Sequence, residues 1–106
     1  MLAKKHRLPI QEFIGKNGKI IKTPFFLFKI FPSRFSYSRF GIIISKKVAP
    51  RATQRNKLKR IIFSACNPKE NPGKDFLMIV SPKIKNLTKE EIIKQLQELF
   101  NAIPIY

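Results

Sequence analysis

Acidic side chains are the scarcest resource of this chain. It carries 6 Asp and Glu against 22 Lys and Arg, a formal charge of +16. None of the acids lies between Glu12 and Glu70, and the stretch from Lys16 to Lys69 holds 14 Lys and Arg. A field of one sign on so small a body implies a polyanionic partner. Cysteine is nearly absent too. Cys66 stands alone, which excludes an internal disulfide or a cysteine metal cluster. It follows Ile61-Ile62-Phe63 near an expected helix end and reads as a small, partly buried side chain in a reducing compartment. His6 is the one histidine, and it sits in a basic segment with no acid spaced to make a general base or a metal ligand of it. Ser-His-Asp sets, paired carboxylates and Cys-His clusters are all missing, so the protein has no visible means of hydrolysis of its own.

Long apolar runs are missing as well. Phe76-Leu77-Met78-Ile79-Val80 is among the longest and falls far short of the ~20 residues that span a bilayer. Lys4, Lys5, His6 and Arg7 are not followed by the apolar stretch of about 7–15 residues that a secretory signal needs. A soluble, cytoplasmic protein without membrane contact is expected. Neither internal repeats nor low-complexity tracts interrupt the chain. Its 106 residues suit one domain, residues 1–106, and 43% hydrophobic content with ten Phe suffices for a core.

The order of elements follows from periodicity and breakers. Ile10, Phe13 and Ile14 at helical spacing predict a short helix over Ile10 to Ile14, ended by Gly15 and Gly18. Phe25 to Phe31, between Pro24 and Pro32, predicts a strand. Alternation places Phe26 and Phe28 on one face and Phe25 and Leu27 on the other, one face packed and one partly open. Arg39 to Ser45 predicts a second strand, and a hairpin through Ser33–Ser38 is the economical pairing of the two. Beyond Pro50, Leu58, Ile61, Ile62 and Ala65 recur as a helical stripe. The Pro- and Gly-containing stretch 67–73 predicts a loop, followed by a strand over Phe76 to Ser81. Thr88-Lys89-Glu90-Glu91 is a capping box. It opens a last helix with Ile92, Leu96, Leu99 and Ile103 inward and Pro104 at its end.

Lys46, Lys47, Arg51, Arg55, Lys57, Lys59 and Arg60 fall within fifteen residues without one acid. On the helix, Arg55, Asn56, Lys59 and Arg60 fall on the other side from the apolar stripe. An ordinary solvated helix interleaves Glu or Asp for i,i+4 pairing. This one makes a ridge for phosphates, with Arg as a bidentate fork, Lys as a mobile charge and the Asn amide to position a backbone or base group.

The segments Arg39-Phe40-Gly41-Ile42-Ile43-Ile44-Ser45-Lys46-Lys47 and Ala52-Thr53-Gln54-Arg55-Asn56-Lys57-Leu58-Lys59-Arg60 resemble the signature of the bacterial ribonuclease P protein family. Lys5-His6-Arg7-Leu8 before Glu12-Phe13, Asp75-Phe76 before the late strand, and the final helix agree with the same family. The resemblance implies an α+β, single-domain αβββαβα sandwich with a left-handed βαβ crossover, ribosomal protein S5 domain 2-like. It implies a protein subunit without catalytic residues or a metal of its own. Such a subunit binds the catalytic RNA through Lys46, Lys47, Arg51, Arg55, Asn56, Lys57, Lys59 and Arg60, one protein per RNA. By the same resemblance a cleft of Phe13, Phe26, Phe28 and Lys59 holds the single-stranded 5′ leader of precursor tRNA, and Mg²⁺ for the cleavage is held mainly by the RNA. Aromatic faces stack on unpaired bases and cations hold their backbone, which suits such a cleft.

The sequence departs from the family at three places: Phe63 stands where another Arg is usual, Gly15 to Lys19 is short and lacks a second aromatic, and Ser81-Pro82-Lys83 lacks an Arg. Charge and size alone would fit a ribosomal protein or a general RNA chaperone equally well. A protein-only nuclease is the rival from the enzyme class.

Overall fold

The computed structural model describes residues 4–67, 69 and 73–102. The elements run α1 (Ile10–Phe13), β1 (Lys19–Lys22), β2 (Phe26–Pro32), β3 (Arg39–Ile43), α2 (Ala52–Ser64), β4 (Lys74–Val80) and α3 (Lys89–Ala102). This is the αβββαβα order. Short 3-10 turns at Lys4–His6 and Pro82–Asn86 complete the described chain. Ile103, Pro104 and most of the 67–73 stretch lie outside the described residues.

The sheet order is β1-β2-β4-β3. Strand β4 is antiparallel to β2, with Phe28 opposite Met78, and parallel to β3, with Phe40 opposite Phe76. The expected hairpin between β2 and β3 does not form. Strand β4 is buried along Asp75 to Met78, so it needs a neighbour on each side and takes the slot between them. The hairpin of this sheet is instead β1 with β2, Ile20 opposite Lys29, a strand that the residue pattern around Gly18 did not announce. Thr23 closes it, accepting from the Phe26 amide at 3.0 Å.

Alternation along the strands divides the sheet cleanly. Phe26, Phe28, Ile30, Phe40, Ile42, Phe76, Met78 and Val80 form the main core with Ile62 of α2 and Ile92, Leu96 and Phe100 of α3. Phe100 lies 5.5 Å from both Phe28 and Phe76 and 5.8 Å from Phe40, ring centre to ring centre. On the opposite face, Phe31 and Leu77 pack with Leu8 and Phe13. That packing depends on Gly41, where a Cβ would stand 2.9 Å from Ile10 Cγ1 and 3.2 Å from Leu8 Cβ, so a side chain there would hold α1 away from β3.

Both long helices are positioned by the signals read in the sequence. The stripe Leu58, Ile61, Ile62 and Ala65 of α2 packs on the core. The capping box at α3 is formed: the Glu91 amide donates to Thr88 Oγ1 at 3.2 Å and the Thr88 amide to Glu91 Oε1 at 2.9 Å. Leu99 packs at the core margin as expected, and Phe100 is the deeper residue. Cys66 is buried, its thiol donating to the Ile62 carbonyl at 3.4 Å, and desolvation pushes its pKa up, so it is an inert core side chain.

Candidate nucleic-acid interface

The chain leaves β3 through a turn in which the Val48 and Ala49 amides both donate to the Ser45 carbonyl at 3.1 Å. Val48 and Ala49 are buried, so Lys46 and Lys47 before them are turned out to solvent. Arg51 then caps α2, its amide donating to Gln54 Oε1 at 3.3 Å. Lys46, Lys47, Arg51, Asn56, Lys57 and Arg60 are exposed, and Arg55 and Lys59 are half-buried. The turn and α2 therefore both present cations to solvent.

Arg55 differs from its neighbours. Its Nη1 donates to the carbonyls of Ala49 at 2.9 Å and Pro50 at 3.1 Å, fastening the helix to the turn that precedes it. Arg55→Ala is accordingly expected to lower stability by about 1–2 kcal/mol, allowing for partial exposure of these charge-assisted bonds. In a thermal melt the midpoint should fall by at least about 4 °C. An unchanged midpoint would leave Arg55 with a role in binding alone.

The four residues expected to form a leader cleft are not brought together. Phe26 and Phe28 are 1% and 0% exposed and lie in the core beneath α3, so neither offers an open ring face to a base, and Phe26 only borders the depression near Lys22 and Lys83. The expectation that they line a cleft is corrected here. The alternation was right, but the faces were assigned the wrong way round. Phe13 lies on the other side of the sheet, 5.0 Å from Phe31, with Lys16 Nζ 4.9 Å and the Arg39 guanidinium 5.6 Å from its ring centre. Lys59 belongs to α2, beside Asn56, Arg60 and Phe63.

The open part of the sheet is on the Phe13 side. Ile20 is 57% exposed, Lys22 is exposed, and Leu27, Lys29, Ile43 and Ile79 are half-buried on the same face. At its end, Lys22, Leu27, Ile79 and Lys83 help line a depression of ≈ 420 Å³. These residues were missed from sequence, although one signal was present. Lys29 is the only charged residue in the run Phe25 to Phe31, and it marks which face of β2 meets water.

Beneath α1, Arg39 Nη2 donates to Asp75 Oδ2 at 2.7 Å and Nε to Oδ1 at 3.1 Å. These bonds and the Asp75 charge hold the Arg39 pKa above its ordinary value, although desolvation by burial opposes them. Among the described residues no three His, Cys, Asp or Glu side chains are placed to share a metal ion, and no helix is long and apolar enough to cross a membrane.

A cationic turn and helix on a small α+β sheet protein are the electrostatic footprint of a nucleic-acid-binding class. Comparison with known proteins makes it specific. The family model described as Ribonuclease P matches residues 3–104, and the chain belongs to that family. It is 41% identical over 72 residues to the ribonuclease P protein component of Synechocystis, an alignment covering 65% of this chain and 58% of that protein. The Clostridioides difficile component is 33% identical over 96 residues, covering 87% of this chain and 83% of its own. Among solved structures, the RNase P protein of Thermotoga maritima superposes with a TM-score of 0.82 at 26% identity, over 92% of this chain and all of that one. A mutant of the Staphylococcus aureus RNase P protein gives 0.79 at 25% identity, covering 92% of this chain and 87% of that one.

Proposed function

We propose that this chain is the non-catalytic protein subunit of ribonuclease P in the cytoplasm, one copy per catalytic RNA. It binds that RNA and the 5′ leader of precursor tRNA and assists RNA-catalysed removal of the leader. The observation that carries this reading is the set of exposed cations Lys46, Lys47, Arg51, Lys57 and Arg60, in a segment without one acid. Neutralising phosphates there releases counterions and lowers the cost of bringing two polyanions together. Family membership favours this reading over a ribosomal protein or a general chaperone, which charge alone would fit equally well.

The leader would lie on the open sheet face between Phe13 and the Lys22–Lys83 end, not over Phe26 and Phe28. Half-buried Leu27, Ile43 and Ile79 supply apolar contact there, and Lys16, Lys22 and Lys29 supply charge. Mg²⁺ held mainly by the RNA would supply the activated water. The protein's share is to position the leader and screen its charge.

The test is reconstitution with the catalytic RNA and a precursor tRNA at low Mg²⁺. Cleavage by the RNA should rise on addition of the protein, with no cleavage by the protein alone. No gain over RNA alone would refute the proposal, and cleavage by the protein without RNA would establish a protein-only nuclease instead.

A further inference from the structure

Asn56, Lys59, Arg60 and Phe63 follow one another at i, i+3, i+4 and i+7 on α2, so they form a single stripe along the helix. Together they line a depression of ≈ 270 Å³. Phe63 is half-buried: part of the ring packs against the main core, and the ring also lines this depression. At the same level Ile62 is 0% exposed, so the helix already has its inward anchor one residue earlier.

Each member of the stripe supplies a different contact. An aromatic face stacks on any unpaired base, whatever its identity. The Asn56 amide offers donors and an acceptor to a base edge. Lys59 and Arg60 offer a point charge and a planar fork to phosphate. Neither the 46–51 turn nor α2 contains an acid and the neighbouring exposed side chains are cationic, so the surroundings suit the phosphates on either side of such a base. We propose that this depression is a pocket for one unpaired nucleotide, in which Phe63 stacks on the base. The proposal rests on the RNA-binding reading above and adds a neutral, stacking contact to a surface otherwise made of charge.

That difference in chemistry gives the test. Equilibrium binding of the full-length chain is measured at several KCl concentrations, against the catalytic RNA alone and against precursor tRNA carrying its leader. Phe63→Leu and Phe63→Met keep apolar volume without a ring, and Phe63→Tyr keeps the ring. Both non-aromatic variants should bind about 5- to 20-fold more weakly with the salt slope unchanged, because no phosphate contact is lost. Phe63→Tyr should stay within about twofold of the parent. Arg60→Ala, by contrast, should flatten the slope by about 0.7–0.9.

Thermal melts of each variant confirm the folded fraction. A loss seen with the catalytic RNA assigns the nucleotide to it, and a loss confined to precursor tRNA assigns it to the leader. Either supports the pocket. Should the parent bind and stimulate cleavage while folded Phe63→Leu or Phe63→Met binds equally well, the pocket is overturned and the functional reading stands. Should the parent bind neither RNA, both fall together.

Discussion

Phe28→Ala is expected to remove about 3–5 kcal/mol of folding stability, a large share of the total of about 5–15 kcal/mol usual for a domain. Phe28 is 0% exposed and touches aromatic partners on two elements, Phe26 at 6.0 Å and Phe100 of α3 at 5.5 Å between ring centres. Met78 stands opposite it across the β2–β4 pair. Truncation would therefore open a cavity between the sheet and α3 that neither rigid element can collapse to fill. Urea unfolding should show the midpoint falling sharply. Precursor tRNA, titrated under conditions where the variant is still folded, should bind with the parent's affinity. A variant that unfolds like the parent and has lost leader affinity would instead put the ring at the surface.

The same residue shows what was legible in the sequence and what was not. Period-2 alternation identified β2 and separated Phe26 and Phe28 from Leu27, because side-chain direction in a strand is local information. Which of the two faces is core has one local mark, the charge of Lys29 on the Leu27 face, and otherwise depends on α3 supplying Phe100 from more than seventy positions later and on β4 entering between β2 and β3. The expected β2–β3 hairpin failed for that second reason, since the preference for pairing sequential strands gives way when a later strand is apolar on both faces. Helix starts fared better. Thr88 with Glu91, and the Leu58–Ala65 stripe, are set by contacts within one or two turns and were formed as read.

The basic ridge was legible on the same grounds. Lys46 to Arg60 is one turn and one helix, so sequence spacing maps directly onto the surface, and six of the eight residues singled out there are exposed. The leader cleft was not, because it was assembled from α1, β2 and α2, whose relative placement no short-range pattern fixes. Arg39 and Asp75 show this most plainly. Both stood in motifs that pointed to the family, yet their partnership, across 36 positions, exists only because β3 and β4 lie parallel with Arg39 opposite Asp75.

Arg39→Ala should consequently be among the most damaging single changes in the chain, costing about 3–5 kcal/mol. The Asp75 side chain is 2% exposed against 18% for Arg39, so removing the guanidinium leaves a carboxylate deep in the sheet with its two bonds unmade. The loss extends to α1 and the loop before β3, because the guanidinium also sits 5.6 Å from the Phe13 ring centre and 4.9 Å from that of Phe35. Each such contact is worth about 0.5–1 kcal/mol or more when water is excluded. The control is the double replacement Arg39→Met with Asp75→Leu, which keeps apolar volume and buries no charge. It should recover most of the loss, since exchanging a buried pair for hydrophobic residues is often neutral. Urea midpoints of the parent, the single variant and the double variant decide the matter. If the double variant is as unstable as Arg39→Ala, the cation's stacking between Phe13 and Phe35, and not the neutralisation of Asp75, is what holds α1 and the β2–β3 loop against the sheet.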